Sequence, residues 1–149
     1  MMARAGGLSL TALALLLALP AAAAQDAARA RTHYIHHCTG CHLMDGRGVP
    51  TKGVPSMRNT LDRFLQVRGG REYIVQVPGV MNSPLGDADI ANLMNWLLPY
   101  VTPAGLPQGI KPYSAEEIAS LRKTRPVDFD GTRRHLVSGL RAAGIEIEE

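Results

Sequence analysis

The chain has 149 residues, of which 46% are hydrophobic and 19% are charged, and its formal net charge at pH 7 is +3. This length is typical of one domain, and the composition is that of a chain that folds rather than one that stays disordered. The small positive charge is too weak to predict nucleic-acid binding.

The first 24 residues predict a secretory signal peptide. Arg4 supplies the positive charge, Leu8–Leu19 is an apolar stretch, and Ala22–Ala24 offers a small-residue cleavage site before Gln25. An uncleaved membrane anchor is the alternative, but the apolar stretch is short for a span of about 20 residues. We therefore expect cleavage, export to the periplasm and no membrane span in the mature chain.

The segment from Asp26 to Cys38 predicts the first helix. Asp26 can cap its start, and the alanines that follow favour helix formation. Tyr34 and Ile35 supply its apolar face.

This helix leads into Cys38-Thr39-Gly40-Cys41-His42, a C-x-x-C-H run that is the attachment signature of c-type haem. Two thiols must reach the two vinyl groups of one porphyrin, and an imidazole directly after them can bind the iron. The alternatives are a redox dithiol and half of a zinc site. A redox C-x-x-C usually opens the helix of a βαβ unit, which is not visible here, and zinc would need a second ligand pair. We therefore predict one covalent haem c, with thioethers at Cys38 and Cys41 and proximal ligation by His42.

Three histidines, His33, His36 and His37, cluster just before this motif. One of them as a second iron ligand is an open alternative. Because the haem is tethered at the end of the same segment, a neighbouring imidazole cannot readily reach the opposite face of the ring. We therefore interpret the three as surface or interface histidines.

A glycine-rich stretch, Asp45-Gly46-Arg47-Gly48, and then Val54-Pro55-Ser56-Met57 follow the motif. With these features the chain resembles the class I c-type cytochromes, small helical electron carriers in which C-x-x-C-H precedes a glycine-rich loop and a Pro-x-Leu-like element. The resemblance covers residues 27–100 and implies an all-α cytochrome c fold around one haem. It also implies that the Pro55 carbonyl accepts the ring N–H of the proximal histidine, with Pro50 as second choice, and that Met57 lines the haem pocket.

Residues 59–67 and 71–77 predict two short helices, the first ended by Gly69-Gly70 and the second broken by Pro78-Gly79. The loop that follows carries Met81, at the place where the resemblance puts the distal iron ligand. An electron carrier needs both axial positions filled, and a thioether raises the reduction potential. Met57 is the main rival, whereas Met44 is too near the tether and Met94 falls in a helical stripe.

Residues 87–100 predict the clearest helix, with apolar residues at helical spacing: Ile90, Leu93, Met94, Leu97 and Leu98. The resemblance implies that this helix crosses the first, which would bring Tyr34 and Ile35 against Leu93 and Leu97. Trp96 either lines the pocket or fills the core, and we favour the core.

Residues 101–149 depart from the minimal family pattern and predict a C-terminal extension with two short helices packed on a cytochrome domain of residues 25–100. A proline-rich linker leads to Ser114-Ala115-Glu116-Glu117, a capping box that opens a helix ending near Lys123. A last helix spans residues 131–142 with the stripe Leu136, Val137 and Leu140. The extension is too short for an independent domain, and His135 is interpreted as a surface residue.

Several basic residues of the predicted cytochrome domain are expected near the haem crevice: Arg47, Lys52, Arg58, Arg63, Arg68 and Arg71. They could pair with the haem propionates or steer an acidic redox partner, which would raise the association rate more than the affinity. A solvated surface is the equal alternative.

Together these features predict a periplasmic monohaem cytochrome that is an electron carrier and not an enzyme. It would carry single electrons from a periplasmic dehydrogenase, such as a quinoprotein, to a terminal oxidase or another cytochrome. One alternative is an electron-transfer subunit of a larger dehydrogenase complex, with the extension as its interaction element. The other is a haem enzyme or gas sensor with an open iron site, which would require that Met81 not bind iron.

Overall fold

The computed structural model describes residues 26–147. The predicted signal peptide and the last two residues of the acidic tail lie outside the described residues. Within this range the fold is all-α, as the sequence predicts, and the β-pairing there is an isolated bridge between Val49 and Val54. None of the helices between residues 26 and 147 is both long and apolar enough to cross a membrane.

Eight α-helices and one 3-10 turn follow each other along the described chain. Their bounds are α1 at residues 26–37, α2 at Thr39–His42, the 3-10 turn at Pro50–Lys52, α3 at Leu61–Phe64, α4 at Gly70–Gln76, α5 at Pro78–Met81, α6 at Asp87–Val101, α7 at Ala115–Arg122 and α8 at Phe129–Ala142.

Helices α1 and α6 pack against each other through aromatic side chains. Tyr34 is fully buried, and its ring centre lies 5.7 Å from that of Trp96 and 6.1 Å from that of Tyr100. Near the start of α1 the Asn92 amide donates to the Asp26 carbonyl at 2.9 Å. All five residues of the predicted apolar stripe of α6 are buried. Trp96 is partly buried, stacks on Tyr100 at 4.6 Å and packs against the core, in agreement with the packing role favoured from the sequence.

The region around α3 to α5 differs from the prediction at its boundaries. Helix α3 is a single turn rather than nine residues, and Gly70 begins α4 instead of ending the helix before it. A Cβ at Gly70 would lie 1.8 Å from the Phe64 carbonyl oxygen, so the chain folds back there too tightly for a side chain. Pro78 was expected to start a loop but is the first residue of α5, where its missing N–H needs no partner and its fixed φ suits a helix.

The two helices of the extension contact the rest of the structure, α7 through α4 and α6, and α8 through α3 and α4. Ile118 of α7 and the predicted stripe of α8 are buried in the same hydrophobic core as α6. Helix α8 begins at Phe129, two residues earlier than predicted, because the Asp128 carboxylate accepts the Gly131 N–H at 2.7 Å and caps it.

At the predicted capping box, Ser114 Oγ accepts the Glu117 N–H at 3.2 Å, and the Ser114 backbone contributes a small lowering of the pKa of Glu117. The Glu117 carboxylate also binds Arg71 of α4, at 2.7 Å from Nε and 2.8 Å from Nη2. A residue predicted to cap a helix therefore joins the extension to the preceding helices.

Candidate haem site

One helical turn brings the two cysteines and the histidine of the motif together. Cys38 lies between α1 and α2, where its N–H donates to the Tyr34 carbonyl at 2.9 Å and its own carbonyl accepts the His42 N–H at 2.9 Å. The Cys38 side chain is half-buried and that of Cys41 is exposed. Burial, aided by the neighbouring Cys41, raises the pKa of Cys38 to about 11.

His42 is held as a neutral imidazole. Burial lowers its pKa, and the Pro55 carbonyl acts in the opposite direction with a smaller effect. Its Nδ1 is buried, and no partner meets regular hydrogen-bond geometry, so the Pro55 interaction falls short of a full hydrogen bond. A neutral imidazole is the form that binds iron. The two thiols, the neutral imidazole and the buried Nδ1 near Pro55 fit haem c.

The glycine-rich stretch joins His42 to the Pro55–Met57 segment. The Gly48 N–H donates to the His42 carbonyl at 3.0 Å, and the Met57 N–H donates to the Gly46 carbonyl at 2.8 Å. Gly48 has φ +65°, and a Cβ there would lie 2.5 Å from the Pro55 carbonyl oxygen and 2.6 Å from that of Val54. Glycine is thus needed at this position for the chain to pass so close to the backbone of Pro55.

Two tyrosines hold the chain where it leaves the motif, a feature that the sequence analysis missed. Tyr34 donates its hydroxyl to the Leu43 carbonyl at 2.7 Å, and Tyr100 donates to the Met44 carbonyl at 2.8 Å. Leu43 has φ 62°, a left-handed conformation that is unfavourable for leucine. Burial raises the pKa of Tyr34 to about 12, so its hydroxyl remains a donor at neutral pH.

The four methionines among the described residues lie in different surroundings. Met94 is buried in the core with α6, and Met44 is exposed. Met57 is also part of the core, and its Cε lies 3.7 Å from the place where a Cβ would stand on Gly46. Met81 is the last residue of α5, half-buried and outside the hydrophobic core that the described residues form.

An open cleft of about 470 Å³ separates the end of α1 from the Met81 segment. His36 and His37 line one side of it, and the other side is formed by residues on both flanks of Met81: Pro78, Gly79, Asn82, Ser83 and Pro84. The cleft therefore lies between the residues that precede Cys38 and those that surround Met81. His33 points elsewhere, with Nε2 3.4 Å from a carboxylate oxygen of Asp89.

Several of the basic residues predicted near the crevice are engaged by protein carboxylates. Arg47 pairs with Asp45, and Arg58 lies 3.9 Å from the same carboxylate. Arg71 is bound by Glu117 of the extension, with its guanidinium 3.8 Å from the ring centre of Tyr113. Arg71 is therefore engaged by the extension within the chain.

A small helical fold that carries C-x-x-C-H, with a neutral, largely buried histidine directly after the second cysteine, is typical of a monohaem c-type cytochrome. Two curated proteins support this class, both named cytochrome c-552 and both from Thermus thermophilus, the second from a specified strain of that species. Each is 32% identical to this chain in an alignment of length 103. The alignment covers 57% of this chain and 78% and 69% of the respective relative. No protein-family model and no solved structure matches the chain.

The chain belongs to the class I c-type cytochromes. It binds one covalent haem c and serves as an electron carrier, not as an enzyme.

Proposed function

We propose that the chain is a periplasmic cytochrome that carries single electrons between a periplasmic dehydrogenase and a downstream acceptor. Its apolar N-terminal stretch with a cleavage site supports export. The haem motif agrees with this location, because in the bacterial families that the chain resembles the haem is attached outside the cytoplasmic membrane. A terminal oxidase or another cytochrome would accept the electron.

Each residue of the candidate site has a separate part in this proposal. Haem c, when bound, supplies an iron that gains and loses one electron. Cys38 and Cys41 would hold the ring covalently, and His42 would provide the proximal nitrogen. Pro55 would orient that imidazole through Nδ1, and Met57 would keep the pocket apolar. Met81 would provide the distal sulfur, so that the same ligands serve both valence states and reorganisation stays small.

The observation that carries the proposal is the state of His42 in the C-x-x-C-H turn: a neutral imidazole with buried Nδ1 near the Pro55 carbonyl. A neutral imidazole can bind iron directly, and a carbonyl near its buried Nδ1 would hold the ring in one orientation. For the distal ligand, Met81 is favoured over Met57, because Met57 is packed in the core whereas Met81 lies outside it, next to Asn82, which lines the cleft.

Carbon monoxide binding to the reduced, haem-loaded protein tests the distal ligand. We expect the visible spectrum of the native protein to be unaffected by the gas and that of Met81→Ala to change. Met57→Leu is the matched control: it removes the rival sulfur, keeps an apolar side chain of similar size, and should resist the gas. A native protein that binds carbon monoxide readily would indicate an open iron site and favour catalysis or gas sensing.

The structure also bears on the choice between a carrier and a subunit of a complex. Two polar contacts join the extension to the rest of the chain: Glu117 binds Arg71, and the backbone N–H and carbonyl of Tyr113 bind the Asn95 side chain. Such inward contacts favour a carrier that diffuses alone. Size-exclusion chromatography of native extract separates the two: a lone small species supports the carrier, and co-elution with a large dehydrogenase would contradict it.

A further inference from the structure

The C-terminal end of α7 contacts the chain on the N-terminal side of the Met81 turn. Gln76, the last residue of α4, is buried, and its amide donates to the Leu121 carbonyl at 2.9 Å and to the Thr124 hydroxyl at 3.1 Å. The chain then passes through Val77 into the single turn of α5 that ends at Met81. The extension therefore fixes the point at which this turn begins.

The same end of α7 contacts the chain on the C-terminal side of the turn. Arg122 donates from Nη2 to the Leu85 carbonyl at 2.6 Å, and its Nε lies 2.9 Å from a carboxylate oxygen of Asp87. Arg125 donates to the Asn82 side-chain oxygen at 3.0 Å. Asn82 directly follows Met81, so the contacts on the C-terminal side begin one residue after the proposed ligand.

The Met81 segment, residues 77–85, has few stabilising interactions within itself. Helix α5 is one turn long, and one isolated turn is not stable in water. Pro78, Gly79, Asn82 and Pro84 are at least partly exposed, and the buried anchor on the C-terminal side is Leu85. Contacts from outside the segment must therefore restrict its conformations.

We propose that Arg122 and Arg125 are positioning residues that hold the Met81 segment in place and thereby keep the Met81 sulfur on the iron. This inference rests on the proposed role of Met81 as the distal ligand. When the segment leaves the conformation described here, which we call the open state, the Met81 sulfur would no longer be placed to bind the iron. The two arginines bind the closed segment through a backbone carbonyl, a carboxylate and an amide oxygen, so their removal increases the population of the open state.

Binding of imidazole to the oxidised, haem-loaded protein measures this open state, because imidazole takes the iron position that Met81 leaves. We expect Arg122→Ala/Arg125→Ala to bind imidazole at least tenfold faster than the native protein, which corresponds to about 1.4 kcal/mol in favour of opening. The weak red absorption band of the thioether–ferric iron bond should fade in parallel. Arg122→Lys retains the positive charge and hydrogen-bond donors on a single nitrogen, so it should recover part of the native rate.

Lys123→Ala is the matched control, since it removes a positive charge from the same helix end and its side chain is exposed. It should leave the imidazole rate unchanged. Arg125→Ala alone is the variant to use if the double variant does not fold. Its contact with Asn82 is exposed, so the loss of this contact should not unfold the protein. We expect about a threefold faster rate for this variant, with thermal unfolding close to that of the native protein.

The outcomes distinguish this inference from the function on which it rests. If Met81→Ala opens the iron and both arginine variants bind imidazole at the native rate, the positioning role is wrong and the ligand assignment stands. If Met81→Ala leaves the iron closed, the ligand assignment is wrong and the inference falls with it. An equal acceleration in Lys123→Ala would show a general charge effect and would also overturn the positioning role.

Discussion

The pairing of Arg71 with Glu117 gives a quantitative test of how the extension stabilises the cytochrome. The Glu117 carboxylate lies 2.7 Å and 2.8 Å from two nitrogens of Arg71, and the side chains are 33% and 26% exposed respectively. Exposed ion pairs contribute about 0 to 1 kcal/mol, and charge-assisted hydrogen bonds about 1.5 to 3 kcal/mol. For a half-buried, two-point pair we expect Glu117→Gln to lower the free energy of unfolding by about 1.5 kcal/mol.

Arg71→Ala should have a larger effect, about 3 kcal/mol, because more than the ion pair is lost. Arg71 also donates to the Lys111 carbonyl at 2.8 Å and to the Pro112 carbonyl at 3.3 Å. In addition, its guanidinium stacks on the Tyr113 ring.

Thermal unfolding of the haem-loaded variants, followed by far-ultraviolet circular dichroism, measures both effects. For a domain of this size about 1.5 kcal/mol corresponds to a decrease in Tm of about 6 °C. Glu116→Gln is the control, because it removes a charge from the same helix start without breaking the contact with Arg71, and its shift should be smaller. Equal shifts for Glu117→Gln and Glu116→Gln, or additive effects in a double-mutant cycle with Arg71→Ala, would refute the reasoning.

Three further predictions concern pH, the glycine loop and the haem linkage. The Arg71 hydrogen bond holds the pKa of Glu117 below its usual value of 4.5. The stabilising effect of the pair is therefore present above pH 4.5 and is lost as the pH falls through the lowered pKa. In urea unfolding, the difference in unfolding free energy between the native protein and Glu117→Gln should shrink from pH 7 to acid pH, and a constant difference would contradict this. Gly48→Ala should lower the urea midpoint by an amount equivalent to about 2 kcal/mol or more, because a Cβ would collide with the Pro55 and Val54 carbonyls; an unchanged midpoint would show that the loop has room. Cys38→Ser/Cys41→Ser should release all haem into acidified organic solvent while the native protein retains it, and retention by the variant would exclude thioethers at these positions.

The parts of the fold that depend on local pattern could be predicted from the sequence. The stripe of α6 is buried as its helical spacing indicates, and the C-x-x-C-H motif carries its chemistry within five residues. Pro78 was misinterpreted because a proline both ends the preceding helix and suits the first position of the next. Local sequence does not distinguish these two roles.

Contacts between distant residues could not be predicted in the same way. Arg71 and Glu117 are 46 positions apart, and Arg122 and Leu85 are 37 apart. The residue types themselves carry no special signal, and a single sequence does not show which distant residue each one contacts. The hydrogen bonds from Tyr34 and Tyr100 to the chain after His42 were missed for a related reason, since an aromatic residue at helical spacing predicts packing and not where its hydroxyl donates.

The central claim, that the protein reversibly carries one electron on one covalently held haem, is tested most directly by an optical redox titration of the native, haem-loaded protein. Spectra are recorded at each potential in both the reductive and oxidative directions. The account predicts one transition with a slope of about 59 mV per tenfold change in the ratio of reduced to oxidised protein, identical in both directions. A transition with half that slope, two separate transitions, or hysteresis between the two directions would contradict it.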